Sequence, residues 1–440
     1  MANDGTADKP MSILEETVSL TLERRKAHGG FRRLTLNPPG SVDFSSNDFL
    51  SLAASPRLRS QYLHELREAE STSLGSGGSR LLDGNSTYAE ELERQIAAFH
   101  GARCGLLSNS GFDANVSIFS TLPQPGDIII YDEYIHASVH DGMRLSRATK
   151  KTSFAHNSVS ALKLILESLL PTLNSSSHSK TPSIFIAVEA IYSMDGDIAP
   201  LTAIHELMNT LLSPGTGHLI VDEAHSTGVL GPRGRGLVSD LKLESHVTIR
   251  LHTFGKALAA NGAIILCTSP ILRTYLFNYA RPLIYTTFLS LPTLAAVKAS
   301  YTLLSSGQLE SKQAHVTYLI SSLHSRLLAL DSAFPTNFPR HLLQVPLEEP
   351  KTPIFSLQSS KPKELAAYCQ RNELMVRGIV APTVPLGKER IRVCLHGGNT
   401  EKDLERLVKV LGEWVEEEVQ GLRVGRSGEL GEQRAPLARL

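Results

Sequence analysis

Residues 218–228 read HLIVDEAHSTG, and residues 251–260 read LHTFGKALAA. In the first, an apolar run ends in Asp222, and His225 follows three positions later. In the second, a short run leads to Thr253 and then Lys256 among small residues. Both runs have the length of a buried strand rather than a helix. Outward from them the same unit recurs. Short apolar stretches at 105–107, 127–131, 184–189, 218–222, 247–253 and 263–267 alternate with helical stretches. This alternation predicts an α/β fold with a mostly parallel central sheet covered by helices. Ligands on such sheets lie beyond the carboxyl ends of the strands. Asp222, His225 and Lys256 fall at those ends.

Asp222 and Lys256 stand 34 positions apart, one strand along. A carboxylate at one strand end and a lysine at the next suit a pyridoxal phosphate site. The amine forms a Schiff base with the cofactor aldehyde. The carboxylate keeps the pyridine nitrogen protonated, so that the ring can accept carbanion electrons. Taken singly, each residue has a plainer reading, Asp222 as a helix cap or turn residue and Lys256 as a solvated charge. A P-loop is excluded, because Gly255-Lys256 is followed by Ala257 and position 250 is Arg. A dinucleotide fingerprint is excluded at Gly75-Ser76-Gly77, because Arg80 stands at the third glycine position. Residues 224–228, AHSTG, loosely match a nucleophile elbow, which leaves an α/β hydrolase with Ser226 as nucleophile as a rival from another class.

The composition is that of a globular chain with an ample core, at 41% hydrophobic and 20% charged over 440 residues. Forty-four basic residues balance forty-four acidic ones, so no global field attracts nucleic acid. The longest apolar stretch, 257–271, is broken by Asn261, Thr268 and Ser269 and falls short of the ~20 residues that cross a bilayer. Four scattered cysteines without a C-x-x-C predict neither a disulfide framework nor a metal centre. Residues 1–12 read as a polar tail without transit-peptide character. The organisation expected is a tail and arm over 1–60, a large domain over 61–300, a smaller α+β domain over 301–422, and a flexible tail over 423–440. A helix is expected over 14–27 with Leu14, Val18 and Leu22 on one face, and another over 87–100 with Glu91, Glu93 and Arg94 on its wet face. The last helix starts at a capping box of Thr400 and Asp403, followed by a stripe of Leu404, Leu407, Val408, Leu411, Trp414 and Val415.

Nine segments, in order, make a larger pattern: FSSNDFLSL (44–52), GSGGSRLLDGN (75–85), LLSNSGFDAN (106–115), YDEYIHASVHDG (131–142), VEAIYSMDGDIAPL (188–201), VDEAHSTGVLGPRGRG (221–236), TFGKALAANGA (253–263), RPLIYTT (281–287) and APTVPLGKERIRV (381–393). On these the chain resembles the α-oxoamine synthases, fold-type I pyridoxal phosphate transferases that condense an amino acid with an acyl-CoA. The resemblance implies roles residue by residue. Lys256 would carry the cofactor and move the substrate α-proton, and Asp222 would pair with the ring nitrogen. His225 and Ser193 would bond the phenolic oxygen, and His136 would stack on the ring and assist proton transfer as a catalytic residue. Ser110, Gly111 and Phe112 would open a helix whose amides hold the phosphate, with Thr253 adding a hydroxyl. Thr286 and Thr287 match a segment that reaches the neighbouring subunit's phosphate, which implies a homodimer with shared sites. Arg392 would clamp the amino-acid carboxylate, its planar fork suiting a bidentate grip, with Asn47 as a second contact. Family members often carry an arginine just before P-T-V-P, where this chain has Val380-Ala381. Arg32, Arg33 and Arg80 are the possible replacements.

The implied reaction removes the α-proton, adds the carbanion to a thioester, expels coenzyme A, and loses carbon dioxide to leave an α-amino ketone. The pairing expected is L-alanine with pimeloyl-CoA, the 8-amino-7-oxononanoate step of biotin synthesis. Glycine C-acetyltransferase and 5-aminolevulinate synthase type reactions are the alternatives. The chain ends in Ala438-Arg439-Leu440, which resembles a peroxisomal address read by an import receptor. A peroxisomal matrix enzyme is therefore expected, otherwise a cytoplasmic one, without membrane insertion.

Overall fold

A computed structural model describes residues 11–27, 30–175, 181–335 and 338–432. The chain divides into two compact units, residues 1–41 and 42–440. In the first, the expected helix forms as Ile13–Ala27. Ser12 and Glu15 cap it reciprocally, the Ser12 amide donating to the Glu15 carboxylate at 2.7 Å and the Glu15 amide to Ser12 Oγ at 3.3 Å. None of its residues is buried. Arg32 follows in an irregular stretch and is exposed.

The second unit opens on strand β1 (Val42–Asp43). The main sheet then takes β2 (Cys104–Ser108), β3 (Ile128–Asp132), β4 (Lys150–Phe154), β5 (Ile184–Glu189), β6 (Gly217–Asp222), β7 (Ile249–Thr253) and β8 (Ala263–Cys267). Their order is β2-β8-β7-β6-β5-β3-β4. Neighbours from β4 across to β7 are parallel, whereas β8 runs antiparallel to both β7 and β2. The carboxyl ends of β2, β5, β6 and β7 therefore reach one edge, and the chain re-enters the sheet there through β8. Every residue of β5 is buried, as a strand covered on both faces requires.

Six of the seven strands match the apolar runs. The seventh, β4, was not expected. Its sequence, KKTSF, has no apolar run, and four of its five residues lie outside the core. An edge strand needs only one covered face, and its charges discourage pairing with other chains.

The helix over 87–100 forms as Thr87–Phe99, with Ser86 capping. Glu93, expected on its wet face, is instead only 3% exposed. It accepts from the Leu107 amide at 2.8 Å and pairs with Arg80 at 3.1 Å and Arg273 at 2.7 Å. The reason is the sheet edge. The outward amide of β2 needs an acceptor, and two guanidinium groups offset the burial of the carboxylate.

The remaining strands are β9 (Ile354–Gln358), β10 (Leu374–Met375), β11 (Arg377–Ile379) and β12 (Arg390–Cys394). They form an antiparallel sheet, β11-β12-β9, and a short parallel pair, β1-β10. Helix Glu310–Ala333 and the last helix pack here through Leu319, Leu323, Leu404, Leu407, Leu411 and Trp414. The capping box is present. The Thr400 amide donates to the Asp403 carboxylate at 2.8 Å, and the Asp403 amide to Thr400 Oγ1 at 3.3 Å. The last helix continues to Glu432, ten residues into the stretch expected as a loose tail. That stretch holds no proline before 432, so nothing removes a donor from the helical ladder.

Candidate active site

The turn after β2 places Ser110 in extended backbone as the cap of helix Gly111–Thr121. Ser110 Oγ accepts from the Asp113 amide at 3.0 Å. The amides of Gly111 and Phe112 have no acceptor within the helix and lie at its positive end, a ready anion cradle. A Cβ at Gly111 would sit 3.4 Å from both Cβ and Oγ1 of Thr253, so β7 lies directly against the start of this helix. Thr253 Oγ1 donates to the Gly262 carbonyl at 3.3 Å.

Asp222 ends β6 and is 7% exposed. Its carboxylate accepts from Asn115 Nδ2 at 2.8 Å and from the Ala224 amide at 2.9 Å. Asn115 also donates to Ser138 Oγ at 3.0 Å, which lies 2.7 Å from His136 Nδ1. A continuous polar chain thus ties the His136 ring to Asp222. His136 also meets the edge of Phe112, with ring centroids 6.4 Å apart. Glu189 ends β5 in register with Asp222. Burial, reinforced by the Asp222 charge, holds the Glu189 carboxyl well above the usual carboxylate range.

Lys256 follows β7 and is partly buried. Burial pulls its amine below the ordinary lysine value, against the opposing charges of Asp222 and Glu189 and with help from Arg392. Burial and then the Lys256 charge push His225 well below the ordinary histidine value. Burial lowers His136 as well. Both imidazoles are therefore neutral near pH 7. His225 packs beside Phe49 at 5.9 Å, and its buried Nδ1 has no partner. That orphaned nitrogen marks a place for a ligand atom.

Arg392 reaches the same group from β12. Its Nε donates to the Ser193 carbonyl at 2.6 Å and its Nη2 to Asn47 Oδ1 at 2.8 Å. Thr286 and Thr287 are exposed. The Thr287 carbonyl accepts from Asn109 Nδ2 at 2.7 Å, next to Ser110 in the chain. Arg32 belongs to the other unit.

Two sequence expectations fail here. Ser226 is fully buried and donates to the Glu223 carbonyl at 3.1 Å and to the Glu223 carboxylate. Glu223 is itself held by the amides of Leu237 and Val238 at 2.7 and 3.1 Å. Ser226 is a tie in a closed turn and not an exposed nucleophile, so the hydrolase reading falls. Arg80 is no substitute for the missing family arginine either, because it is buried against Glu93 and stacked 4.7 Å from the Phe288 ring. Conversely, the orienting roles of Asn115, Ser138 and Glu189 escaped the sequence reading. Asn115 sits four positions after Gly111, where a helical side chain returns to the same face. That spacing was its only signal.

Ser193 lies in a turn in which the Tyr192 amide donates to the Asp197 carbonyl at 3.0 Å. His156 braces this turn, with Nε2 2.6 Å from Asp197 Oδ2 and Nδ1 2.8 Å from Asp132 Oδ1. Burial opposes protonation of His156, but the two carboxylates outweigh it and raise its pKa to about 9. The unfolded value is about 6.5. The stabilisation is therefore complete below about pH 6.5 and lost as pH rises through about 9. Melting temperature is expected to fall across that window, and to fall less in His156→Gln. Equal falls in the two proteins would remove His156 as the cause.

Residues 39–411 match the family described as aminotransferase class I and II. An 8-amino-7-oxononanoate synthase of Emericella nidulans is 49% identical over 411 residues, 93% of this chain and 97% of its own. The aminoacyl transferase sphA of Aspergillus fumigatus is 38% identical over 402 residues, 89% of this chain and 84% of its own. A solved structure of SPT with a PLP internal aldimine is similar in fold, with a TM-score of 0.76 and 24% identity over 92% of this chain and 98% of that one. Pyridoxal phosphate fits the residues present. The helix amides at Gly111 suit its phosphate, Asp222 its ring nitrogen, the unpartnered His225 nitrogen its phenolic oxygen, and Lys256 its aldehyde.

Proposed function

The chain belongs to the aminotransferase class I and II family, in its α-oxoamine synthase branch, and from that premise we propose that it condenses L-alanine with pimeloyl-CoA. The products are 8-amino-7-oxononanoate, coenzyme A and carbon dioxide. The observation that carries this choice is the 49% identity to the Emericella nidulans synthase along nearly the whole of both chains.

The side chains support this chemistry. Bound pyridoxal phosphate supplies a sink for the electron pair left on the alanine Cα when its proton is removed. Lys256 Nζ takes that proton, and burial, which lowers its basicity, increases the share of free amine that can act as base. Asp222, fixed by Asn115 and the Ala224 amide, keeps a negative charge at the ring nitrogen. Arg392 holds the alanine carboxylate with Asn47 beside it, and Nη1 is the fork nitrogen not already spent on protein. His136 and His225, both neutral, contribute a flat face and a hydrogen bond without adding positive charge beside Lys256.

The working unit in this reading is a homodimer, with exposed Thr286 and Thr287 offered to the partner's phosphate cradle. The terminal Ala438-Arg439-Leu440 lies outside the described residues. We read it as a peroxisomal address. Deleting Leu440 should leave turnover unchanged and disperse a peroxisomal pool; a pool that stays in place would refute the address.

The deciding assay offers L-alanine, glycine and L-serine, each with pimeloyl-, acetyl-, succinyl- and palmitoyl-CoA. The highest kcat/KM is expected for alanine with pimeloyl-CoA. The similarity to the Aspergillus fumigatus aminoacyl transferase favours one rival, another amino acid and acyl pair on the same machinery. A clear preference for such a pair would replace the alanine–pimeloyl reading.

A further inference from the structure

Pimeloyl-CoA differs from an ordinary fatty acyl-CoA in carrying a carboxylate at the far end of its chain. With alanine, the site must therefore receive two carboxylates, and a site selective for this acyl group needs a second cation. Three arginines lie on the neighbouring strands β11 and β12. Arg390 is buried and paired with Asp195. Arg392 spends Nε and Nη2 on Ser193 and Asn47. Arg377 is the third.

Arg377 stands directly opposite Arg392 in the antiparallel register. Residues so paired point to the same face, with Cα atoms about 5 Å apart. The two arginines are thus neighbours on one surface. Arg377 is exposed, and its Nε donates to Ser45 Oγ at 3.0 Å. Ser45 is two residues from Asn47, the partner of Arg392, so one short segment holds both guanidinium groups. Among the described residues no carboxylate lies within 4 Å of Arg377. Its hydrogen bond occupies Nε and leaves both Nη groups to grip a carboxylate end-on.

We propose that Arg377 is the specificity residue that binds the distal carboxylate of a dicarboxylic acyl-CoA. This rests on the reaction proposed above. It divides the labour within one pair of strands, with Arg392 taking the amino-acid carboxylate and Arg377 the acyl one.

The experiment compares pimeloyl-CoA with heptanoyl-CoA, a chain of equal length without the distal carboxylate. Both are assayed with alanine in the pyridoxal phosphate-loaded wild type and in Arg377→Gln and Arg377→Lys. Wild type is expected to favour pimeloyl-CoA in kcat/KM. Arg377→Gln should lower that ratio about tenfold, a magnitude set by one charged hydrogen-bonded contact at an exposed site. The loss should fall on the KM for pimeloyl-CoA, while kcat/KM for heptanoyl-CoA and the KM for alanine stay unchanged. Arg377→Lys should recover part of the preference. A ratio unchanged in Arg377→Gln would overturn the assignment. So would a raised alanine KM at constant ratio, which would move Arg377 to the amino-acid end. Failure of the wild type to use pimeloyl-CoA with alanine would overturn the proposed reaction together with this assignment. Turnover with an unaltered ratio overturns the assignment alone.

Discussion

Lys256→Ala is expected to abolish turnover, with kcat lowered by at least about 10⁴-fold. The amine has two duties, attachment of the cofactor and removal of the α-proton, and alanine can perform neither. The fold should survive. The Lys256 side chain makes no hydrogen bond among the described residues, its carbonyl accepts from the Ala259 amide at 2.9 Å as an alanine carbonyl would, and the adjoining Ala257 and Leu258 pack in a core with Phe254 and Leu50. The variant should also lack the visible absorbance that pyridoxal phosphate acquires on a lysine. A Lys256→Ala protein with the native spectrum and turnover would end the assignment. Loss of both in a protein that melts like wild type would support it.

Asp222→Ala should lower kcat about 10²–10³-fold, the usual cost of removing one preorganised charge from a reacting centre. It should also lower stability. The Ala224 amide would lose its acceptor in a buried place and Asn115 Nδ2 would keep only Ser138 Oγ, at a cost of about 1–3 kcal/mol for a buried donor left unsatisfied. Asp222→Asn separates the two effects. Its amide oxygen can still accept one of these bonds, so stability should partly return. The negative charge is gone, so turnover should remain low. Wild-type turnover in Asp222→Asn would show that the charge is not needed and would remove the ring-nitrogen role.

Much of this site was legible before any coordinates. Asp222, His225 and Lys256 belong to local patterns, an apolar run that ends and a polar residue just past it. In a parallel sheet such residues share an edge by construction. Ser110 and Gly111 were legible through the family resemblance, which puts a small residue and a glycine at the start of a phosphate-holding helix. Less legible were the contacts that hold these groups in place. Asn115 carries no mark of pointing at a residue more than a hundred positions away. Glu93 follows a helical pattern that puts it in water, and only the bare edge of β2 explains its burial. Ser226 sits in a sequence that suits a nucleophile, and the turn closed by Glu223 makes it structural.

Residue order alone specifies the layered α/β fold, the strand-end placement of the acid and the lysine, and the family. These follow from short-range periodicity and from motifs whose spacing is local. The tertiary structure alone decided which arginine stands free. Arg80, Arg377, Arg390 and Arg392 are alike as letters, yet Arg80 is paired with buried Glu93 and Arg390 with Asp195, Arg392 is fastened to Ser193 and Asn47, and Arg377 spends only its Nε, on Ser45. Whether a charge is available depends on what lies within a few ångströms of it. In a folded chain those neighbours come from distant strands, which no local pattern encodes.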